Sequence, residues 1–448
     1  MKSKKEEIKK SLNLSIKEGS FAMGMYGLGT PYFTPYALAL KATASQVGFL
    51  DALLWLLPSL VQLKASRLIE KLKRKSIVNI STIIQNLMFI PIILFGLFFA
   101  NSSIWILIVL ITLFYAFGAA AGPAWFSWMG SLVPENQRGK YFSKRNKVTG
   151  FFGLIFMVLG AVILERFKQT GRIMLGFGML FTLAFIFRAI SISLLHRQYE
   201  PSLKIAKQDY FSFFQFLKRA PETPFGRFTF FDSALRVMIN IASPFFAVYM
   251  LNTLGFSYIL FMVVMISASI FQLIFLPLLG KISDRCGNIQ LLKICSIAIA
   301  FVPLMWIISP NPLYIILVPQ LISGFGWAGY TLATNNYIYD TVKEEKRGIG
   351  ITYFNLLSGL GMFIGALIGG FLALLNISFM NTLLFIFLLS GILRLIIIAL
   401  FSRYLNEVRT VKNFSPRFII KEFHPVRGVI QDFHSMEHQF AKTFNFRR

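Results

Sequence analysis

The stretch GKISDRCGN, residues 280–288, sets two glycines and three charged side chains between two long apolar segments. Such a turn stands out in a chain that is 56% hydrophobic and only 14% charged. A soluble fold of 448 residues would need more polar surface than that, so the apolar surface has to face lipid. Residues 280–288 therefore read as a polar link where one membrane helix ends and the next begins.

A spanning helix needs about 20 predominantly apolar residues, because the hydrocarbon core is roughly 30 Å thick. That ruler predicts twelve spans, at 17–40, 46–65, 76–99, 103–131, 145–165, 172–195, 229–252, 257–279, 290–309, 312–338, 349–374 and 380–402. The runs are too long to be barrel strands, which are short and alternate. Of the 45 Lys and Arg residues, 38 fall on one side of this topology and four on the other. Basic loops stay in the cytoplasm, which predicts that both termini are cytoplasmic, in the plasma membrane of the cell. The net charge of +26 then reports topology, and nucleic-acid binding is not needed to explain it. Cys286 and Cys295 lie near a cytoplasmic helix end, where a structural disulfide is not expected. His434 and His438 flank Glu437 in the polar tail; a solvated tail is the expectation there, with neither metal nor cofactor.

The link at 280–288 has a partner. SRLIEKLKRK at 66–75 aligns with GKISDRCGNI at an offset of 214, with Ser66 for Gly280, Glu70 for Asp284 and Lys71 for Arg285. TPYFTPYAL at 30–38 matches SPFFAVYML at 243–251. Arg138, Gly139, Asn146, Gly150 and Gly160 recur 209 residues later as Arg347, Gly348, Asn355, Gly359 and Gly369. Arg188 and Arg197 recur 206 residues later as Arg394 and Arg403. The prediction is an all-α integral membrane protein of two pseudo-symmetric six-helix bundles. Its segments are a cytoplasmic N-terminal piece (1–16), a first bundle (17–195), a central loop (196–228), a second bundle (229–402) and a basic tail (403–448).

Two six-helix repeats, a charged central loop and the pattern G-x-x-x-D-R-x-G at Gly280, Asp284, Arg285 and Gly287 resemble the major facilitator superfamily over residues 15–405. The resemblance implies secondary transport of a small organic solute by rocker-switch alternating access, driven by an ion gradient. It also implies a cytoplasmic gate, with Asp284 at the start of span 5 near Gly139 and Glu70 at the start of span 11 near Gly348. A helix N-terminus favours a carboxylate there. Gly280 and Gly287 would permit close approach and a turn, and Arg138 and Arg347 belong to the same loops. The alternative is a polar turn that only stops the helix.

In that family spans 1, 4, 7 and 10 line a central cavity. They supply Glu18, Tyr26, Tyr115, Trp125, Asp232, Arg236, Asn240, Gln320, Trp327, Tyr330 and Asn335 as candidate cavity residues. Tyr32, Tyr36, Trp128 and Asn336 are further polar or aromatic groups on these spans, some of them expected as interface anchors. Ionisable groups inside spans point to function; Asp232 and Arg236, four apart, share one helical face and otherwise form an internal ion pair. Asp51 and Asp232 are candidates for proton or sodium coupling, although a lone carboxylate near the surface, as Asp51 is, more often serves as a cap or lattice contact. Arg188 and Arg394 are expected to snorkel toward the inner surface.

The family pattern is incomplete. Span 4 has no arginine, span 5 lacks G-x-x-x-G-P-x-x-G-G, and Ala366 stands where proline would sit among Gly361, Gly365, Gly369 and Gly370. Those glycines suit close helix packing, and a proton-coupled drug exporter is a weaker reading. A lipid or lysolipid flippase on the same fold is the other alternative. No P-loop and no nucleophile or paired-carboxylate site is visible, so neither ATP drive nor an enzyme is expected. The tail interleaves nine basic residues with phenylalanines, a pattern suited to anionic inner-leaflet lipid.

Overall fold

The computed structural model describes residues 4–68, 72–134, 137–201 and 212–409, and all regular structure among them is helical. Among the described residues, eleven helical stretches are long and apolar enough to cross a membrane, from Ala44–Ala65 to Thr382–Tyr404. Each lies on one of the expected spans from the second to the twelfth. The first is polar over much of its length. Its helix α1 (Lys4–Gly29) begins well before residue 17, and carries buried Ser11, Ser15, Glu18 and Ser20. A 3₁₀ turn at Thr30–Tyr32, where Pro31 removes a backbone donor, separates α1 from α2 (Phe33–Ala39).

The chain divides into two units. The described part of the first runs to Pro201 and takes in Gly255–Met262. It holds α3 (Ala44–Leu68), α4 (Arg74–Leu87), α5 (Phe89–Phe98), α6 (Ile104–Leu132), α7 (Arg138–Gln169) and α8 (Ile173–His196) besides α1 and α2. Here α1 packs on α7 and α8, α4 packs on α6 and α8, and α3 packs on α6. Its core is aromatic: Phe33 meets Phe89, Phe114, Tyr115 and Phe181 at ring distances of 5.1–6.3 Å. Edge-to-face and tilted pairs of this kind add about 0.5–1.5 kcal/mol each beyond area burial. Tyr32 and Tyr36 belong to this core, their hydroxyls donating to the Met157 and Ile92 carbonyls. Trp128 is fully buried with its indole N–H on the Tyr199 carbonyl.

The second unit opens with α9 (Phe213–Arg219), a short helix inside the expected central loop. A reciprocal capping box starts it, in which Ser212 accepts from the Gln215 N–H while the Gln215 side chain accepts from the Ser212 N–H. Next come α10 (Pro224–Ala242), α11 (Phe245–Val248), α12 (Tyr258–Cys286), which starts in the first unit, α13 (Asn288–Ile308), α14 (Pro312–Ile315), α15 (Leu321–Thr341), α16 (Glu344–Leu372) and α17 (Thr382–Phe401). In this unit α10 packs on α16 and α17, and α13 packs on α15 and α17. The repeat read from the sequence is thus a repeat of packing, α1/α7/α8 and α4/α6/α8 returning as α10/α16/α17 and α13/α15/α17.

The closest of these packings rests on glycine. A Cβ at Gly361, Gly365 or Gly369 of α16 would lie 2.4, 2.1 or 2.3 Å from the Ser233, Val237 or Ile241 carbonyl of α10. One stripe of α16 without side chains therefore lets two backbones meet. Two π-helical turns interrupt the second unit, at Tyr249–Thr253 and at Ile316–Gln320 around Pro319. Such turns leave the regular backbone ladder and re-aim side chains.

Candidate functional site

Polar groups cluster at several places inside the units. The first is centred on Asp232 of α10, which is fully buried. Its Oδ2 accepts from Arg236 Nε at 2.7 Å and from Ser358 Oγ of α16 at 2.5 Å, and its Oδ1 accepts from Tyr330 Oη of α15 at 2.6 Å. One carboxylate therefore ties three helices and is saturated by short, charge-assisted bonds. Arg236 also reaches Met362 Sδ at 3.7 Å, and Asn240, one turn on, donates to the Met362 carbonyl at 3.2 Å. The i, i+4 spacing and the close approach at the glycine stripe bring these groups together.

Glu18 of α1, 214 residues earlier, is the repeat mate of Asp232 and is 3% exposed. It is wired differently. Arg145 of α7 approaches Oε2 at 3.4 Å, and Ser191 Oγ of α8 donates to Oε1 at 2.9 Å. Arg145 stacks over Trp125 with 4.5 Å to the ring centroid, so Trp125 holds a cation. Arg188 of α8 extends the chain, donating to Gln85 Oε1 at 2.7 Å and to Ser191 Oγ at 3.5 Å.

The third is a cavity of about 370 Å³ wholly within the second unit. Gln320 and Trp327 line it, as do Gln272, Trp306, Met250 and Arg394. The π-turn at Ile316–Gln320 carries Gln320, whose Nε2 donates to the Val264 carbonyl at 2.8 Å. Trp327 packs near Tyr330, ring centroids 5.9 Å apart, which places the cavity beside the Asp232 cluster. Arg394 does not snorkel. It is 2% exposed and donates to Ser390 Oγ and to the Ile299 and Ile239 carbonyls. Arg188, 6% exposed, is equally inward. Both long side chains turn inward onto interior acceptors, although the Arg188 Nε keeps no hydrogen-bond partner. Signs of this were in the sequence, since a repeat-matched arginine inside an apolar span needs internal partners.

The remaining expected residues are scattered. Tyr115 sits against Phe33 and Phe114 in the first unit. Tyr26 is half-buried on α1 and its carbonyl accepts from Thr30. Asn335 is exposed on α15, in neither the Asp232 cluster nor the cavity. Asp51 of α3 accepts from Trp55 Nε1 at 3.1 Å.

Among the gate residues, Glu70 and Lys71 lie outside the described residues, and Ser66 falls in the last turns of α3. Arg138 starts α7 and donates to the Gly130 carbonyl at 2.8 Å. Arg347 lies over Tyr339 at 4.8 Å and sits with Gly348 in the first turns of α16, as Gly139 does in α7. Asp284 and Arg285 are exposed. Gly280 has open space within 4 Å of where a Cβ would be, so in its own unit no close packing depends on it. Gly287 is the glycine that geometry requires: its φ is +89°, and a Cβ would meet Glu407 Oε2 at 2.4 Å.

Glu407 was missed from sequence. Its Oε2 accepts from the Ile289 N–H at 2.9 Å and so caps α13. Around it Ser283, Asn288, Asn336 and Asp340 form a chain of hydrogen bonds, and Arg409 joins Asp340 at 2.7 Å. That bond holds the Arg409 guanidinium above its usual range. The start of the expected tail therefore docks on the link at 280–288; the rest of the tail, with its histidines, lies outside the described residues.

Two helical bundles of repeated packing, with buried carboxylates at matched positions on the first long helix of each, define a membrane protein of transporter architecture. The Major Facilitator Superfamily model matches residues 18–235 and 228–430, and the chain belongs to that superfamily. The nucleoside transporter NupG is similar in structure, with a TM-score of 0.66 at 13% identity over 88% of this chain and 98% of that one. A POT family transporter in complex with 5-aminolevulinic acid follows, with a TM-score of 0.62 at 14% identity over 89% and 96%. At these identities the likeness is one of fold. An uncharacterized MFS-type transporter, YfiU of Bacillus subtilis (strain 168), is 29% identical over 98 residues, 21% of this chain. The chain covers only 18% of the length of that relative.

Proposed function

We propose that the protein is a secondary active transporter of a small organic solute, working by rocker-switch alternating access in the plasma membrane with both termini cytoplasmic. The observation that carries this reading is the Asp232 cluster, a buried carboxylate bonded to Arg236, Tyr330 and Ser358 on three helices. Asp232 is the ion-coupling group. Binding a proton there cancels the charge that holds Arg236, which frees a guanidinium and loosens α10 from α15 and α16. Each protonation state favours a different arrangement, and an ion gradient biases their populations only through that difference. Glu18 with Arg145 orders the first unit around the matched position. That fold neighbours are a nucleoside transporter and a transporter solved with 5-aminolevulinic acid supports a small organic cargo. Gate roles are assigned to Gly280, Asp284, Arg285 and Arg347 in the second unit and to Arg138 in the first.

The test is uptake into proteoliposomes under an imposed proton or sodium gradient, with radiolabelled nucleosides, amino acids and organic acids as cargo. Accumulation that follows one gradient in the wild type, and that Asp232→Asn abolishes while exchange without a gradient persists, is the expected result. Accumulation unchanged in Asp232→Asn would remove Asp232 from coupling.

A further inference from the structure

Arg394 carries a charge that the structure leaves unanswered. Its three hydrogen bonds, at 3.1, 2.9 and 3.1 Å, go to a serine hydroxyl and two backbone carbonyls, all neutral. Elsewhere in the second unit Arg236 pairs with Asp232 and Arg409 with Asp340, so neither of these carboxylates is held by Arg394. Asp232 lies seven residues before Ile239 on α10, roughly 10 Å along the helix, and is committed to three other donors. The repeat mate shows the other solution. Arg188 bonds Ser191, which bonds Glu18, so a carboxylate sits one hydroxyl away. At the position matching Ser191, 206 residues on, the second unit has Ile397.

A buried cation without an anion is costly unless something supplies the counter-charge. A guanidinium has five N–H donors; the three bonds use Nε and one hydrogen on each terminal nitrogen, leaving one on each. Such a pair suits two oxygens of a carboxylate or phosphate. Arg394 lines the 370 Å³ cavity, whose walls add Gln272 and Gln320 amides, the faces of Trp306 and Trp327, and Met250. Sites for small ligands are of this size and make-up, an apolar lining with few polar groups.

We propose that this cavity binds a small organic anion, a carboxylate or phosphate ester on an aromatic or aliphatic body, with Arg394 as its counter-charge. The inference goes beyond the transport reading, because an anion site inside one bundle stands whether or not Asp232 couples a gradient.

The test uses the full-length protein in phosphatidylcholine nanodiscs, with binding of 3-phenylpropionate and of the neutral 3-phenylpropanamide measured by calorimetry and thermal shift. The acid is expected to bind at least tenfold more tightly than the amide. That preference should fall below twofold in Arg394→Gln. Ala268→Leu, which fills the cavity and leaves the bonds of Arg394 intact, should weaken the acid tenfold, and it decides alone if Arg394→Gln does not fold. Competition by inorganic phosphate marks a soluble solute, and competition by lysophosphatidic acid but not by phosphate marks a lipid headgroup; either supports the site. Equal binding of acid and amide to the wild type overturns it, as does a preference that survives in a folded Arg394→Gln or an acid affinity unchanged in Ala268→Leu. No gradient is applied, so failed anion binding and failed coupling appear in separate experiments.

Discussion

Tyr330 Oη donates to Asp232 Oδ1 at 2.6 Å, joining α15 to α10 through the one carboxylate that also holds Arg236 and Ser358. Neither residue alone announces the other, since 98 positions separate them. The bond makes the packing of α15 on α10 depend on that carboxylate.

Asp232→Ala should be strongly destabilising, because it leaves the half-buried Arg236 without its anion and Tyr330 and Ser358 without their acceptor. Breaking such a pair from one side typically costs about 3–5 kcal/mol. Asp232→Asn keeps shape and acceptor and should lose less, with Tyr330→Phe losing a single charge-assisted bond of about 1.5–3 kcal/mol. Thermal unfolding in a fixed detergent would rank the three; an Ala variant as stable as wild type would mean the cluster is not buried as described.

The glycine stripe of α16 sets how near α10 can come. Gly365→Leu places a side chain where even a Cβ is 2.1 Å from the Val237 carbonyl. Helix separation there should cost at least the roughly 1–3 kcal/mol of core overpacking, and should also disturb Ser358 on Asp232. The midpoint of unfolding should drop, and an unchanged midpoint would show that the helices part at no cost.

Gly287 and Glu407 test the docked segment. Gly287→Ala meets both a positive-φ, extended backbone open essentially to glycine alone, at about 1–3 kcal/mol for another residue, and the Glu407 carboxylate. Glu407→Ala removes a helix cap, about 0.5–2 kcal/mol. Because the two residues touch, the double variant should be less destabilised than the sum of the singles. Strict additivity in a double-mutant cycle would mean that they do not meet.

The gate reading makes a kinetic prediction. Gly280→Leu has room in its own unit and Asp284 is exposed, so neither Gly280→Leu nor Asp284→Ala should change thermal stability by more than about 0.5 kcal/mol. Both should slow turnover several-fold with little change in ligand affinity. Wild-type uptake rates in both variants would reduce the link to a helix stop.

Hydrophobic runs and the placement of lysine and arginine are properties of the chain itself, since a spanning helix satisfies its own backbone and needs only apolar length. For that reason the spans, the repeat and the family were legible, from Ala44–Ala65 through Thr382–Tyr404. The polar first helix was legible in place but not in extent, because its early turns are tied by Ser15 and Glu18 to α7 and α8 rather than by apolar length. The glycine stripe was legible as spacing, and only packing identified the carbonyls it meets. What the chain could not disclose is which buried charge answers which. Asp232 and Arg236 share a helix and were readable as a pair; Tyr330, Ser358 and the Glu407 cap come from distant positions. Arg188 and Arg394 look equivalent in sequence, yet one is linked to Glu18 through Ser191 and the other faces a cavity. That difference exists only once helices far apart in the chain are packed, because a charge in an apolar interior is defined by the neighbours it finds there.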